Sequence, residues 1–325
     1  MKASIFLRHD AVPLPEPAAD FLPGARCLMP GFKWVECVSE AEFLEQLPDS
    51  EIVLAWRFEA HWLRQARRLR WIATPAAGGE FIRVAPGDGL LVTHGAFHGI
   101  IMSETVLALL LAFLRGVKAG LDLMRNNPWP RGQLTGMLRP LSGSAAGILG
   151  FGNVGKWIGR RLKAFDVRVV GVNRRDLARP DYFDAGDEVV PSGGLDAVLP
   201  AVDHLILALP SGTATDGIMD ARRIALLKPG ALFINVGRGN AVDEVALAGA
   251  LRSGRLRGAG LDVFGEEPLP ADSPLRTCPN AILLPHVSAM APNYLRLFLE
   301  EFAVLARKHF PGECGLDESG GFGSS

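Results

Sequence analysis

The sequence predicts an α/β protein with two doubly wound parallel-sheet domains. Short β-type apolar runs alternate with helix-like segments in two separate series, and this alternation favours parallel sheets covered by helices. A glycine-rich turn opens the second series. The length of 325 residues suits two domains of roughly 150 residues each.

The first series occupies the chain before residue 100. A capping box, Ser39 followed by Glu42, starts one of its helices, and Pro48 ends that helix. The predicted strands of this series are residues 4–8, 34–38, 52–56, 71–74 and 90–94.

A long apolar helix predicted over residues 101–117 separates the two series, and it lacks an ordinary polar face. We therefore expect it to be buried between domains or subunits. The second series starts at Ala145, with six predicted strands at residues 146–149, 167–172, 204–209, 231–236, 258–263 and 282–284. A terminal helix is predicted over residues 293–309, and the Gly- and Ser-rich tail from Pro311 is predicted to be frayed.

The composition argues against several classes of protein. Lys and Arg total 34 against 35 Asp and Glu, a net charge of −1, which offers no basic surface to nucleic acid or an anionic membrane. The longest apolar run, residues 105–114, is about half of the roughly 20 residues that cross a bilayer, and the N-terminus lacks a signal pattern. The four cysteines form no CxxC pair, and no cluster has metal-ligand spacing. We expect a soluble, cytoplasmic protein without a metal site.

The glycine-rich turn matches the GxGxxG pattern of dinucleotide sites. Gly150, Gly152 and Gly155 follow an apolar strand, and a helix that includes Asn153 and Val154 comes next. The free amides at the start of such a helix bind phosphate. This context predicts a Rossmann-like nucleotide-binding domain, and the alternative is a purely structural turn.

The end of the following strand bears on the choice of cofactor. NAD-binding domains place a carboxylate there for the ribose 2′-hydroxyl, but this chain has Asn173, Arg174 and Arg175. Asn173 would not repel a 2′-phosphate, and the two arginines offer fork-shaped donors to it. NADP(H) is the predicted cofactor, with NAD(H) as the alternative if both arginines are simply solvated.

Three further residues suggest catalysis, because each follows a predicted strand at the carboxyl edge of the sheet, where such sheets bind ligands. Arg238 can hold a carboxylate and polarise a neighbouring carbonyl. His286 can carry the proton that accompanies a hydride, and Glu267 nearby would favour the protonated imidazole. Taken singly, each also has an ordinary interpretation, as a turn residue, a packed imidazole or a surface carboxylate.

The order of the GxGxxG, NVGRG, DVFGEEP and PH stretches resembles the D-isomer-specific 2-hydroxyacid dehydrogenase family, and specifically its glyoxylate and hydroxypyruvate reductase branch. The resemblance covers nearly the whole chain. It implies that Arg238 orients the substrate, that His286 is the general acid and base, and that Glu267 is its partner. Glu266 competes for the last role, but Glu267 directly precedes Pro268, as in the motif.

The resemblance also implies binding residues. Asp262 corresponds to a contact with the nicotinamide carboxamide, and the backbone of Ala77 and Gly78 to a loop that binds the substrate carboxylate. Ser288 would contact the nicotinamide or cap a turn. Further cofactor contacts are predicted at Leu209, Pro210, Thr215 and Val236. From their position after a strand, Trp56 and Arg57 are interpreted either as substrate contacts or as a core anchor and a surface charge.

The domain division is likewise implied by the resemblance. Residues 1–98 plus 288–325 would form a discontinuous substrate domain, and residues 99–287 the dinucleotide-binding domain, with a cleft between them. The family also implies a homodimer that uses the long apolar helix.

Together these features predict an NADPH-dependent reductase of a small 2-keto acid such as glyoxylate or hydroxypyruvate. The D configuration of the hydroxy-acid product follows from the resemblance. Two alternatives remain open: a nucleotide-sensing, corepressor-like interaction protein, or a dehydrogenase for a larger 2-keto acid, formate or phosphite. Turnover with a panel of keto acids distinguishes them.

Overall fold

A computed structural model describes residues 1–8, 21–84, 87, 89–175 and 177–314. The chain divides into two compact units: unit 1 comprises Met1–Phe97 with Ala291–Ser325, and unit 2 comprises His98–Met290. Each unit contains one parallel sheet flanked by helices. The predicted α/β class with two parallel-sheet domains is therefore confirmed.

Unit 1 contains five parallel strands in the order β2-β1-β3-β4-β5. Every residue of the central strands β3 and β4 is buried, as expected for a parallel sheet covered on both faces. The strands and helices are β1 (Lys2–Phe6), α1 (Phe21–Leu28), β2 (Lys33–Glu36), α2 (Glu40–Gln46), β3 (Ile52–Ala55), β4 (Trp71–Thr74), β5 (Leu91–His94) and α10 (Tyr294–His309).

Aromatic side chains fill both faces of this sheet. On the face covered by α1 and α10, the Trp71 and Phe302 rings stack with centroids 4.2 Å apart. On the other face, Phe43 of α2 packs edge-on against Trp62 at 5.5 Å. The predicted cap of α2 is present, because the Ser39 hydroxyl accepts the Glu42 amide at 3.2 Å.

The start of the C-terminal tail is packed, which corrects the prediction of fraying from Pro311. Cys314 is buried, and its carbonyl accepts the amide of Gly31 at 3.1 Å. The rest of the tail, residues 315–325, lies outside the described residues.

Unit 2 contains seven parallel strands in the order β12-β11-β10-β9-β6-β7-β8. The order reverses beside β6, and the glycine-rich turn follows β6 directly. The elements are α3 (His98–Leu114), α4 (Val117–Leu123), α5 (Arg131–Thr135), β6 (Ala145–Leu149), α6 (Asn153–Lys163), β7 (Arg168–Asn173), β8 (Glu188–Pro191), α7 (Leu195–Val198), β9 (His204–Leu207), α8 (Ala221–Leu226), β10 (Leu232–Asn235), α9 (Glu244–Arg252), β11 (Gly258–Leu261) and β12 (Ala281–Leu283).

The prediction of six strands in this unit was wrong by one. The missed strand, β8, pairs only with β7 and has no fully buried residue, so its sequence carries little of the apolar signal of a parallel strand. The other six were predicted, with ends that differ by one or two residues.

The long apolar helix also ends earlier than predicted. It stops at Leu114 because Gly116 adopts a left-handed backbone conformation (φ 70°), after which α4 runs in a new direction. Within unit 2, α3 packs against α6 and under β10 and β11. Among the described residues, no single helix is long and apolar enough to span a membrane. The helices α3 and α4 reach that length and composition only when they are taken together, and the chain bends by 52° between them.

Candidate active site

Unit 2 brings the three predicted catalytic residues to one edge of its sheet. Arg238, Glu267 and His286 follow the neighbouring strands β10, β11 and β12, whose carboxyl ends lie side by side. Each side chain is carried by a loop rather than by the strand itself. The topology of the parallel sheet thus gathers residues that are far apart in sequence.

His286 and Glu267 form a hydrogen-bonded pair. His286 Nδ1 lies 2.7 Å from Glu267 Oε2, and Glu267 Oε1 accepts the amide of Phe264 at 2.9 Å. Both Glu267 oxygens are therefore engaged, which fixes the carboxylate. The imidazole side chain keeps 47% of its surface exposed. His286 Nε2 is thus the ring nitrogen left to exchange a proton with a bound molecule.

Arg238 is held in a turn that packs backbone to backbone against the loop that carries Glu267. A Cβ atom at Gly239 would lie 1.8 Å from the Phe264 carbonyl carbon, so only glycine permits this approach. Arg238 is half-buried, and its Nη1 donates to the Gly237 carbonyl at 2.9 Å. The guanidinium group has the planar fork geometry that suits a carboxylate.

Asp262 is fully buried directly below the His286 loop. Its Oδ1 accepts the amide of Val287 at 2.8 Å, and its Oδ2 accepts the amide of Ser288 at 2.9 Å. His286 itself has a left-handed backbone (φ 53°), and its amide donates to the Asp262 carbonyl at 2.9 Å. Ser288 is buried, and its carbonyl accepts the hydroxyl of Thr105. In the structure, both residues therefore support the loop.

Two supporting residues were missed by the sequence analysis. Asn235, at the end of β10, bonds the turn around Arg238 through both side-chain polar atoms. Glu244, at the start of α9, accepts the amide of Gly265 at 2.7 Å, in the loop that carries Glu267. A polar residue that ends an otherwise apolar strand was the available signal for Asn235, whereas Glu244 carried none.

The glycine-rich turn has the shape of a phosphate cradle. Gly150 has φ 94°, and a Cβ there would lie 2.6 Å from the Ala208 carbonyl oxygen. At Gly152, by contrast, a Cβ would meet no atom within 4 Å, so the space beside the N-terminus of α6 is open. Asn153 and Val154 begin α6, and Gly155 packs against the Gly150 carbonyl. Open space next to the N-terminus of a helix fits the pyrophosphate of a dinucleotide.

The side chains at the end of β7 and directly after it suit a phosphate on the adenosine ribose of the dinucleotide. Asn173 Oδ1 accepts the amide of Arg174 at 2.8 Å, which turns the chain at the strand end. Arg174 and Arg175 are exposed, and neither belongs to an ion pair within the described residues. Two such guanidinium groups suit a phosphate dianion.

The remaining predicted cofactor contacts lie on neighbouring loops of unit 2. Leu209 and Pro210 follow β9, and Val236 is buried just after β10. Thr215 Oγ1 lies 2.9 Å from the Pro210 carbonyl and 2.8 Å from the Gly212 carbonyl. The Thr215 hydroxyl therefore donates its hydrogen to the backbone of its own loop and stabilises that loop.

The predicted substrate residues Trp56, Arg57, Ala77 and Gly78 belong to unit 1. Trp56 is buried, with its ring 5.9 Å from that of Phe81, and the guanidinium of Arg57 pairs with Glu40. Ala77 is exposed and Gly78 is buried in the loop after β4. The contacts of Trp56 and Arg57 are those of a core anchor and a paired surface charge, and a substrate role for them stays a prediction.

The chain is similar to known proteins over most of its length. The family profile of the "D-isomer specific 2-hydroxyacid dehydrogenase, NAD binding domain" matches residues 107–288. D-3-phosphoglycerate dehydrogenase of Mycobacterium leprae is 32% identical over 263 residues, which are 79% of this chain and 48% of that protein. The chain thus spans about half the length of that relative. Glyoxylate reductase of Pyrococcus furiosus is 33% identical over 265 residues, 78% of this chain and 77% of that protein.

A solved structure extends the similarity beyond the residues that the family profile matches. The NADPH-dependent glyoxylate/hydroxypyruvate reductase of Sinorhizobium meliloti, in complex with NADP and sulfate, superimposes with a TM-score of 0.76. The two sequences are 27% identical, and the match covers 94% of each chain. Since the profile covers more than half of the sequence and the site carries the expected side chains, the chain belongs to the D-isomer-specific 2-hydroxyacid dehydrogenase family, as the resemblance to its glyoxylate and hydroxypyruvate reductase branch predicted.

Proposed function

We propose that the protein reduces a small 2-keto acid of the glyoxylate or hydroxypyruvate type to a D-2-hydroxy acid, with NADPH preferred over NADH. The observation that carries this proposal is the hydrogen-bonded pair of His286 and Glu267 on the loops next to Arg238. A general acid with a fixed partner and a carboxylate-binding guanidinium are the two protein groups that keto-acid reduction requires.

The roles of the side chains follow from their chemistry. Arg238 binds the substrate carboxylate and polarises the keto oxygen, which orients the keto carbon. A reduced nicotinamide, when bound, supplies the hydride. The protonated imidazole of His286 donates its Nε2 proton to the keto oxygen, and its Nδ1 proton stays hydrogen-bonded to Glu267. The overall reaction consumes one hydride and one proton and yields the hydroxyl group.

The glycine turn and the residues after β7 support the choice of cofactor. Gly150, Gly152 and the start of α6 would hold the pyrophosphate, while Arg174 and Arg175 would hold the 2′-phosphate of NADPH. The S. meliloti reductase, which is named as NADPH-dependent, adds support. In this proposal unit 2 is the cofactor domain and unit 1, with Ala77 and Gly78, is the substrate domain.

A homodimer is part of the same proposal. The helix α4 has no buried residue, and Val117, Leu121 and Met124 expose more than half of their surface. Trp129, which follows α4, is 76% exposed. A second copy of the chain is the proposed partner of this apolar surface. Replacing Leu121 by Lys should turn a dimer into a monomer in light-scattering measurements of mass; a monomeric wild-type protein would contradict the proposal.

The predicted cytoplasmic location stays a prediction.

The decisive experiment measures initial rates of NADPH and NADH oxidation with glyoxylate, hydroxypyruvate, pyruvate and phenylpyruvate. D-3-phosphoglycerate with the oxidised cofactors tests the substrate named for the mycobacterial relative. We expect the highest kcat/KM for glyoxylate or hydroxypyruvate with NADPH. Faster turnover of phenylpyruvate or D-3-phosphoglycerate would overturn the substrate class. Tight NADPH binding without turnover of any acid would favour the nucleotide-sensing alternative.

A further inference from the structure

Two buried polar residues join the loops that carry Arg238 and His286. Asn235 ends β10 and Asp262 follows the adjacent strand β11, and they are 1% and 0% exposed. The Asp262 amide donates to the Asn235 carbonyl at 2.9 Å. The two residues therefore form one hydrogen-bonded pair at the carboxyl edge of the sheet.

Asn235 holds the turn around Arg238. Its Oδ1 accepts the amide of Gly237 at 3.0 Å, and its Nδ2 donates to the carbonyl of Arg238 at 3.1 Å. The side chain thus binds the backbone amide of the residue before Arg238 and the backbone carbonyl of Arg238 itself. A buried amide that satisfies both partners fixes the turn, because releasing it would leave polar groups unpaired.

Asp262 holds the loop around His286. Its backbone carbonyl and its two carboxylate oxygens accept three consecutive amides, those of His286, Val287 and Ser288. The left-handed backbone of His286 is disfavoured for any residue with a Cβ atom, so it persists only where its surroundings impose it. The row of bonds from Asp262 imposes it here.

We propose that Asn235 and Asp262 are positioning residues. Through the backbone of the two loops, they fix the positions of Arg238 and His286 relative to each other. This role rests on the proposed function for its catalytic consequence. It differs from a contact between Asp262 and the nicotinamide carboxamide, because it acts on His286 whether or not a cofactor is bound. The two roles therefore give different results in the same variant.

The test of Asp262 uses the full chain with Asp262→Asn. The amide keeps the shape of the side chain but presents N–H groups toward one of the two backbone amides, so one hydrogen bond is lost. We expect kcat for the keto acid to fall by about 100-fold, because a small displacement of a reacting group has that effect. We also expect the NMR signals of the His286 imidazole, followed through a pH titration without cofactor, to change. The dissociation constant of NADPH should change by less than about 3-fold, well under the tenfold of a lost hydrogen bond.

The opposite pattern would overturn the proposal. If the Asp262→Asn variant bound NADPH much more weakly while the His286 signals and their titration stayed as in the wild type, Asp262 would act on the cofactor alone. Asp220→Asn is the matched control, since Asp220 also accepts a backbone amide, that of Arg223 at the start of α8. It should leave kcat and the imidazole signals unchanged.

A milder variant keeps the proposal testable if Asp262→Asn fails to fold. Asn235→Asp removes the donor to the Arg238 carbonyl, and it should raise KM for the keto acid more than it lowers kcat. An unchanged KM in this variant would contradict the proposal.

The imidazole signals also separate this proposal from the proposed function. They are recorded without substrate or turnover, so they report on positioning even if the wild-type protein reduces no keto acid. Absence of keto-acid turnover in the wild type would refute the proposed function. Unchanged NMR signals of the His286 imidazole in Asp262→Asn would refute the positioning role.

Discussion

Glu267 bridges His286 and the backbone of its own loop, with Oε2 at 2.7 Å from His286 Nδ1 and Oε1 at 2.9 Å from the Phe264 amide. The backbone bond prevents the carboxylate from rotating away from the imidazole. The Nδ1 hydrogen therefore always has an acceptor, and the ring is held with Nε2 directed away from Glu267. A fixed ring orientation of this kind is what a general acid needs.

Replacing Glu267 by Gln tests that relationship. The variant keeps the shape of the side chain but replaces the carboxylate that bonds His286 Nδ1 with an amide, so kcat/KM for the keto acid should fall by about 100-fold. Steady-state rates at neutral pH measure the effect. The adjacent Glu266→Gln is the matched control and should retain nearly full activity, and equal losses in the two variants would contradict the assignment to Glu267.

Replacing His286 by Ala removes the proposed proton donor. Turnover should fall by about 100- to 10,000-fold, the usual contribution of general acid and base catalysis. Steady-state rates with the keto acid measure the loss. Near wild-type turnover would mean that another group supplies the proton. His309→Ala, which alters an exposed histidine of unit 1, serves as the control.

Replacing Arg238 by Lys keeps the positive charge but removes the planar pair of donors. We expect kcat/KM for the keto acid to fall by about 100-fold, since one ammonium cannot hold a carboxylate in two places at once. The dissociation constant of NADPH should stay close to that of the wild type. Arg252→Lys, on helix α9, controls for the general effect of this exchange. Near-normal kcat/KM in Arg238→Lys or Arg238→Ala would refute its role.

The cofactor preference should depend on the two arginines after β7. Changing Arg174 and Arg175 together to Ser should raise KM for NADPH by about 10- to 100-fold, because hydrogen bonds to a charged group contribute about 1.5–3 kcal/mol. KM for NADH should remain as in the wild type, since NADH has no 2′-phosphate. Arg179→Ser, in which a guanidinium bonded to the Phe183 carbonyl is lost, is the control. A parallel rise of both KM values would show that the arginines do not discriminate.

His204 should make folding stability depend on pH. Burial lowers its pKa from 6.5 to about 4, so between these values the unfolded chain binds a proton that the folded chain does not. The free energy of unfolding should therefore fall by up to about 3 kcal/mol as the pH drops from 7 to 4. Urea unfolding of the wild type and of His204→Gln at several pH values isolates this contribution. The same pH dependence in both proteins would exclude His204 as its source.

Much of the fold was predictable because its signals are local. Apolar runs marked most strands, and Ser39 with Glu42 marked the start of a helix. The edge strand β8 was not predicted, because its residues are at most partly buried and such a strand needs few apolar side chains. The end of α3 was misplaced because Val117 continues the apolar pattern on the far side of Arg115 and Gly116, whereas the left-handed backbone of Gly116 ends the helix.

The candidate site was predictable only at the level of its motifs. The order of the four motifs identified Arg238, Glu267 and His286, and the sheet topology then placed them on one edge. The bonds that support these residues could not be predicted, because they join side chains to the backbone of distant segments. Asn235 and Asp262 show this most clearly: their partners depend on loop conformations that no periodicity describes.

The contact between the main chain at Gly239 and that at Phe264 limits how this protein can diversify. No side chain separates the main chains of Gly239 and Phe264, so any residue larger than glycine at position 239 would force the two loops apart. In the proposed function, that movement would separate Arg238 from Glu267. A change of substrate range would therefore have to come from residues other than Gly239.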